Sequence, residues 1–151
     1  MTRRFIAALA AAATLAAGPA LAQTLEVGAY PANPPWEFKN EQSEFEGFEV
    51  DLVKEIAERL GVEVNIQDYG FQALFAATSS GRIDLAISTI TITDERLQNQ
   101  DFTQGYYDAD LALGVRKDGD VETLADLEGE PVGVLSASTG EKWAQANQEE
   151  Y

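Results

Sequence analysis

The order of hydrophobic patterns constrains the fold most strongly: after residue 24, short apolar runs alternate with segments of helical period. Leu25–Ala29 predicts a first strand and Ile83–Ser88 predicts a third. The second strand is predicted where Val62, Val64 and Ile66 alternate with polar residues. A helical segment separates each pair of strands, and this order is typical of an α/β domain with a mainly parallel sheet.

Two helices are predicted between these strands. The first begins at Phe48 and stops at Gly61, a residue suited to the left-handed conformation that ends many helices. The second spans Phe71–Thr78. On the first helix, the face expected to be buried carries Leu52, Val53, Ile56, Ala57 and Leu60, and the face expected to be exposed carries Glu49, Asp51, Lys54, Glu55, Glu58 and Arg59.

Turns and shorter elements are predicted elsewhere. Pro31–Pro35 is predicted as a loop because proline cannot donate a hydrogen bond to a strand ladder, and Glu41–Glu46 is predicted as a polar turn. Thr93 is predicted to cap a short helix. Farther along, Pro131–Leu135 predicts a strand that leads towards a helix starting near Glu141.

The first residues of the chain have the pattern of a secretory signal peptide. Arg3 and Arg4 precede a 13-residue apolar run, Phe5–Ala17, and the small residues Ala20–Ala22 precede Gln23 as a cleavage site. The apolar run is shorter than the roughly 20 residues of a transmembrane helix. The expected location is therefore a bacterial periplasm, reached through a cleavable signal peptide, and a chain without cysteine suits that oxidising space.

Composition excludes several classes of function. The chain has no Cys and no His, so thiolate catalysis, Cys- or His-bound metal sites and a Ser-His-Asp triad are excluded. The formal net charge of −16 opposes binding to nucleic acid phosphates. No metal, cofactor or nucleic acid partner is expected, and the protein is expected to be a monomer.

Three loops are expected to lie together at the carboxyl edge of the predicted sheet: Tyr30–Trp36, Asp68–Phe71 and Ser88–Arg96. Ligands of open α/β sheets bind at this edge. The third loop offers hydroxyls, backbone amides at a helix start and one guanidinium, groups that suit a carboxylate. The alternative is that Arg96 pairs with Asp94, Glu95 or Asp101 on an exposed face.

Two further features are open to two interpretations. Phe71 could present its ring to a ligand, or it could belong to a buried helical stripe with Leu74 and Phe75. Ser138 and Thr139 stand in a turn before the last predicted helix, where hydroxyls could bind a carboxylate or simply cap the helix.

Several motifs together resemble one protein family. They are Gly28-x5-Pro34-Pro35-Trp36, Phe45-Glu-Gly-Phe-Glu-Val-Asp-Leu52, Gly81-Arg-Ile-Asp-Leu-Ala86, Thr91-Ile-Thr-Asp-Glu-Arg96, Tyr106-Tyr-Asp-Ala109 and Asp126-Leu-Glu-Gly129. In this order they closely resemble the bacterial extracellular solute-binding proteins of the polar amino acid type. That family comprises the soluble receptors of amino acid ABC importers.

The resemblance implies a periplasmic-binding-protein-like clamshell, an α/β fold in which two lobes close on a small molecule. Arg96 stands where the family grips the α-carboxylate of the ligand. Ser88, Thr89 and Thr91 match the strand-end positions that hold the α-amino and carboxylate groups. Phe71 matches the aromatic residue that stacks on the ligand.

Other ligand-binding positions come from the facing lobe and from the first loop. Ser138 and Thr139 match the pair that closes over the carboxylate. Tyr30 and Asn33 stand where many relatives carry an Asp and an aromatic residue, and this difference weighs against recognition of lysine or arginine side chains. No residue is assigned to the acidic group that holds the α-amino group in the family.

The resemblance also predicts the domain organisation. Residues 1–22 form the signal peptide, 23–108 a nearly complete first lobe, and 109–151 the crossover and the start of an incomplete second lobe, so a C-terminal truncation is expected. The predicted function is capture of an amino acid or similar small zwitterion, without catalysis, for a membrane-embedded ABC transporter permease. The alternatives are a cyclohexadienyl-dehydratase-like enzyme and an extracellular sensor domain of the same fold.

Overall fold

The computed structural model of the chain describes residues 23–149. The predicted signal peptide lies outside these residues. The elements are β1 (Thr24–Ala29), β2 (Ala32–Asn33), β3 (Glu37–Lys39), β4 (Phe45–Glu46), α1 (Phe48–Leu60), β5 (Glu63–Asp68), α2 (Phe71–Ser79), β6 (Leu85–Ile87), two 3-10 turns (Arg96–Gln98 and Leu124–Leu127) and α3 (Thr139–Asn147).

The central sheet is parallel and has the order β5-β1-β6. Val27 in the middle strand pairs with Ile66 on one side and with Leu85 on the other. The predicted α/β arrangement with a parallel sheet is therefore confirmed. Because all three strands run the same way, their carboxyl ends meet at a single edge.

The two helices cover opposite faces of this sheet. Val27 and Ala29 of β1 pack with Val50 and Val53 of α1, and all four side chains are buried. Between them, Gly28 faces α2, where an added Cβ would lie 2.8 Å from Leu74 Cδ2. Alternate residues of one strand thus serve two separate cores, as the period of a strand requires.

Helix α1 is flanked by glycines that adopt positive φ. Gly61 ends the helix at φ 68°, which confirms the predicted stop. Gly47 precedes it at φ 125°, and a Cβ there would lie 2.3 Å from the carbonyl oxygen of Trp36. The first helical amides donate to the same segment, since Phe48 N–H bonds Pro35 O at 3.0 Å and Glu49 N–H bonds Trp36 O at 2.9 Å. This junction fixes the start of α1 against the proline-rich stretch.

A second, antiparallel sheet corrects the prediction for the region before α1. Pro31–Pro35 and Glu41–Glu46 were expected to lack strands, but they contain β2 and β4, which flank β3. The prolines are compatible with this sheet because β2 is an edge strand and its two residues, Ala32 and Asn33, are not prolines.

The chain beyond β6 is less regular than predicted. Thr93 Oγ1 accepts from Arg96 N at 3.2 Å, but the predicted helix is wrong, because the segment forms only a 3-10 turn whose N-cap residue is Glu95. The predicted strand at Pro131–Leu135 is wrong, because no other segment within residues 23–149 pairs with it through ladder hydrogen bonds. Helix α3 begins at Thr139, slightly before the predicted start.

The apolar side chains of this region are largely exposed. Val132 is 43% exposed and Val134 44%.

In the part of the chain that the structure describes, no helix has the length and apolar character needed to cross a membrane.

Candidate functional site

A cavity of about 360 Å³ lies at the carboxyl edge of the parallel sheet. The nine residues singled out in the sequence all border it, together with Ala32 and Leu135. The full lining is Tyr30, Ala32, Asn33, Phe71, Ser88, Thr89, Thr91, Arg96, Leu135, Ser138 and Thr139. Its volume lies within the range of small-molecule sites, about 300–1,000 Å³.

The topology explains why these residues meet. Tyr30 follows β1, Ser88 follows β6, and Phe71 opens α2 just after β5. These three positions are the carboxyl ends of neighbouring parallel strands, the edge at which open α/β sheets bind ligands. The cavity is bounded on the other side by Leu135, Ser138 and Thr139, which precede or begin α3.

Arg96 contributes the positive charge of the cavity. Its Nη1 donates to Thr91 O at 2.8 Å and its Nη2 donates to Ala137 O at 3.0 Å. Burial lowers the pKa of the Arg96 guanidinium, which nevertheless stays protonated as arginine does in proteins. No carboxylate is among the residues that line the cavity. An anionic ligand group would therefore be the natural counter-charge to Arg96 there.

The alternative was that Arg96 pairs with an acidic residue on an exposed face. Within residues 23–149, the structure shows no such ion pair of Arg96. Glu95 pairs instead with Lys142 of α3. The guanidinium of Arg96 lies over aromatic rings, with Cζ 5.0 Å from the ring centre of Phe75 and 5.8 Å from that of Phe71. These rings and the two carbonyls hold the guanidinium plane in place.

Phe71 fits both interpretations given to it. Its side chain is 7% exposed and packs with Leu74 in the core beneath α2. It also borders the cavity and makes an edge-to-face contact with Tyr30, with ring centres 6.4 Å apart. An aromatic face is thus available at the site, and it is supported by the core.

Ser88, Thr89 and Asn33 form the polar floor of the cavity. Ser88 is 2% exposed, and its hydroxyl donates to Glu37 Oε1 at 2.6 Å. Asn33 Nδ2 donates to Thr89 Oγ1 at 2.9 Å and more weakly to Glu37 Oε1 at 3.3 Å. Thr89 has φ 46°, an uncommon conformation for a β-branched residue. Surrounding contacts therefore determine the shape of this floor.

The contacts beneath the floor come from residues that the sequence analysis did not select. Glu37 and Glu49 are both 0% exposed. Glu49 Oε1 accepts from the backbone amide of Thr89 at 2.9 Å and from the hydroxyl of Tyr106. The prediction that Glu49 lies on the exposed face of α1 is wrong, because its carboxylate is the partner of a buried backbone donor.

Burial raises the pKa values of two acidic groups beneath the cavity. Burial, together with the neighbouring Glu49 carboxyl, raises the pKa of Glu37 to about 9. Burial also raises the pKa of the Tyr106 hydroxyl. Both shifts favour the protonated forms of these groups. Within residues 23–149, no group of three or more acidic side chains is placed to hold a metal ion.

The residues across the cavity are held by local hydrogen bonds. Ser138 Oγ accepts from Glu141 N at 3.1 Å and so caps α3. Ala137, at φ 63°, donates its amide to Glu141 Oε2 at 2.7 Å. Two contacts span the cavity rim, the bond from Arg96 to Ala137 O and the ion pair of Glu95 with Lys142.

Comparison with known proteins gives a consistent match. Residues 25–148 match the model of the bacterial extracellular solute-binding proteins, family 3. The chain is 37% identical over 134 residues to the histidine-binding periplasmic protein of Salmonella typhimurium, covering 88% of this chain and 52% of that protein. It is 37% identical over 117 residues to the arginine-binding extracellular protein ArtP of Bacillus subtilis, covering 78% of this chain and 46% of that protein.

Solved structures agree with the sequence matches. An ancestral arginine-binding protein bound to arginine superposes with a TM-score of 0.77 at 38% identity, over 84% of this chain and 57% of that chain. The chain spans about half the length of the curated relatives that it matches.

Proposed function

The chain belongs to the bacterial extracellular solute-binding proteins, family 3, and from this membership we propose that it captures an amino acid or a similar small zwitterion for an ABC importer. The observation that carries the proposal is the position of Arg96, a positive charge beside a cavity whose lining contains no carboxylate. The site is small, polar on its floor and aromatic on one wall. Those properties suit a compact molecule with both an anionic and a cationic end.

The carboxylate of the ligand would bind Arg96. A guanidinium has five N–H donors in a planar fork, and Arg96 uses two of them on Thr91 O and Ala137 O. The remaining donors can bind a carboxylate with two parallel hydrogen bonds. Thr91, Ser138 and Thr139 supply further hydroxyls at the same cavity.

The ammonium of the ligand would bind the floor. The Ser88 hydroxyl donates its hydrogen to Glu37, so its oxygen presents lone pairs to a donor in the cavity. Thr89 borders the same region. Phe71 offers its ring to the ligand, and Tyr30 and Asn33 would contact the ligand side chain.

Location and partners follow from the same proposal. Relatives that match this chain are named as periplasmic or extracellular binding proteins. We propose export through the signal peptide at residues 1–22, a first lobe at 23–108, and a crossover with the start of a second lobe at 109–151. A membrane permease would receive the ligand from a monomeric binding protein. Mass spectrometry of a periplasmic extract should find an N-terminus at Gln23, and an intact Met1 in the cytoplasm would contradict export.

The test of ligand class uses the longest product of the gene that contains this chain. In a thermal-shift screen, at least one amino acid should raise the melting temperature of the protein, because a ligand that binds only the folded state stabilises it. Two analogue series sharpen the screen: amino acid amides lack the carboxylate for Arg96, and 2-hydroxy acids lack the ammonium for Ser88. Both series should fail at concentrations where the amino acid succeeds.

Other outcomes would contradict the proposal. Equal stabilisation by the amides would remove Arg96 from its role. Turnover of prephenate or arogenate would instead support the dehydratase alternative. A screen in which no amino acid stabilises the protein would overturn the proposed ligand class.

A further inference from the structure

A pair of buried acids lies directly beneath the cavity floor. Glu37 of β3 and Glu49 of α1 are 0% exposed, yet neither makes an ion pair with a basic side chain in the described part of the chain. The two carboxyls bind consecutive residues, Ser88 and Thr89, and therefore lie close together. Two ionised carboxylates there without a counter-charge would be strongly unfavourable. The two buried acids must therefore be stabilised by something other than an ion pair.

The local hydrogen bonds leave one carboxylate oxygen of the pair without a donor in the described part of the chain. Glu49 Oε1 accepts from Thr89 N and from the Tyr106 hydroxyl, whereas Glu49 Oε2 is buried with no hydrogen-bond partner within residues 23–149. Glu37 accepts from Ser88 and Asn33. A proton on Glu37 would convert that carboxyl into a donor towards Glu49. One proton thus removes both the charge repulsion and the unmet hydrogen bond.

We infer that Glu37 and Glu49 share one buried proton and together act as positioning residues for Ser88 and Thr89, which form the floor of the proposed ligand site. The inference deepens the proposed function and rests on it for the role of the ligand. Glu37 fixes the direction of the Ser88 hydroxyl hydrogen, so that its oxygen faces the cavity as an acceptor. Glu49 binds the amide of Thr89.

Two independent features of the backbone support this arrangement. Thr89 is held at φ 46°, a costly conformation for threonine that persists only where the surroundings determine it. Its amide is bound by Glu49 and its hydroxyl by Asn33. Asn33 is also the direct cross-strand partner of Glu37. The acid pair and the strained residue therefore belong to one hydrogen-bonded unit.

The surroundings of the pair identify which groups titrate with it. Glu49 faces Glu37 from α1, and Tyr106 faces both acids from the segment after β6. Asn33 and Ser88 on the remaining sides are uncharged. With the pKa of Glu37 at about 9, Tyr106 still protonated and no basic group in the unit, deprotonation of Glu37 is the titration expected between neutral and moderately alkaline pH.

The pH dependence of stability has a definite sign. The folded protein holds a proton on Glu37 up to about pH 9, whereas an ordinary glutamate in the unfolded chain loses it near 4.5. The stabilisation from this group is thus fully present below pH 4.5 and is lost as the pH rises through about 9. Glu37→Gln keeps a donor for Glu49 and an acceptor for Ser88 but cannot titrate.

The experiment compares the gene product containing this chain with Glu37→Gln, Glu37→Met and Glu41→Gln. Glu41 is an exposed residue of the β3–β4 turn and provides the matched control. Infrared spectra at neutral pH should show the carbonyl band of a protonated carboxylic acid in the wild type and in Glu41→Gln, and no such band in Glu37→Gln. From near neutrality to about pH 9, the melting temperature of the wild type should fall relative to that of Glu37→Gln.

Calorimetry with the amino acid found in the ligand screen tests the positioning role. Glu37→Gln should keep the wild-type affinity, while Glu37→Met, which has no acceptor for Ser88, should lose about tenfold. Equal affinity of Glu37→Met and the wild type would overturn that role. A wild type without the infrared band, or parallel pH profiles of the wild type and Glu37→Gln, would overturn the shared proton. If no amino acid binds the wild type, the proposed function fails, and the infrared and pH measurements still decide the shared proton.

Discussion

Replacement of Arg96 by lysine tests how the cavity holds an anion. The substitution keeps the positive charge but removes the planar fork. In the structure, Arg96 spans two carbonyls, Thr91 O at 2.8 Å and Ala137 O at 3.0 Å, while further N–H groups remain for a ligand. A single ammonium cannot reproduce both backbone bonds and two parallel bonds to a carboxylate.

The expected size of the effect follows from the hydrogen bonds that lysine cannot make. If lysine loses one charge-assisted hydrogen bond to the ligand, the cost is about 1.5–3 kcal/mol. That cost corresponds to a rise in Kd of about tenfold to a hundredfold. Loss of the bond to Ala137 O, which spans the cavity rim, would add to the effect and places the expectation towards the upper end.

Isothermal titration calorimetry at fixed ionic strength is the suitable assay. The matched control is Arg59→Lys on α1, where an exposed arginine pairs with Glu55 and neither residue lines the cavity. This control should leave Kd unchanged. If Arg96→Lys binds the amino acid as tightly as the wild type does, the assignment of Arg96 to the carboxylate is refuted.

Three other substitutions test the cavity wall, the ion pair at the rim and the start of α1. Phe71→Ala should lower the free energy of unfolding by about 3–5 kcal/mol in urea titrations and also weaken binding, because the ring is both core and cavity wall; an unchanged urea midpoint would contradict the packing. Lys142→Ala removes the exposed pair with Glu95, so calorimetry should show a small rise in Kd that disappears at high salt; a large effect at high salt would show that the pair is not a simple surface contact. Gly47→Ala should lower the melting temperature far more than Gly70→Ala does, because Gly47 has φ 125° and no space for a Cβ, whereas nothing lies within 4 Å of a Cβ at Gly70; equal melting temperatures would contradict the α1 junction.

The parallel sheet and the edge at which the cavity lies could be predicted because both depend on short-range patterns. The alternation of Val62, Val64 and Ile66 indicates a strand regardless of its neighbours. Once three parallel strands are expected, their carboxyl ends must share an edge. Spacing alone left two interpretations of Arg96 open, a carboxylate-binding residue or one partner of a surface ion pair. The family resemblance favoured the first.

The buried acids could not be predicted from pattern. An amphipathic analysis assigns every charged residue of a helix to the exposed face, and Glu49 obeys that rule in sequence but not in the structure. Its burial depends on the amide of Thr89, forty residues away, which needs an acceptor. Pairing of β2 with β3 likewise depends on how the chain returns after Trp36, a contact that periodicity does not encode.

A crystal structure of the gene product with its amino acid bound would show how the cavity holds the ligand. We predict the carboxylate of the ligand within hydrogen-bond distance of the Arg96 guanidinium, its ammonium against the Ser88 hydroxyl oxygen, and the Phe71 ring beside it. A ligand bound outside this cavity, or bound in it with its ammonium towards Arg96, would contradict this binding mode.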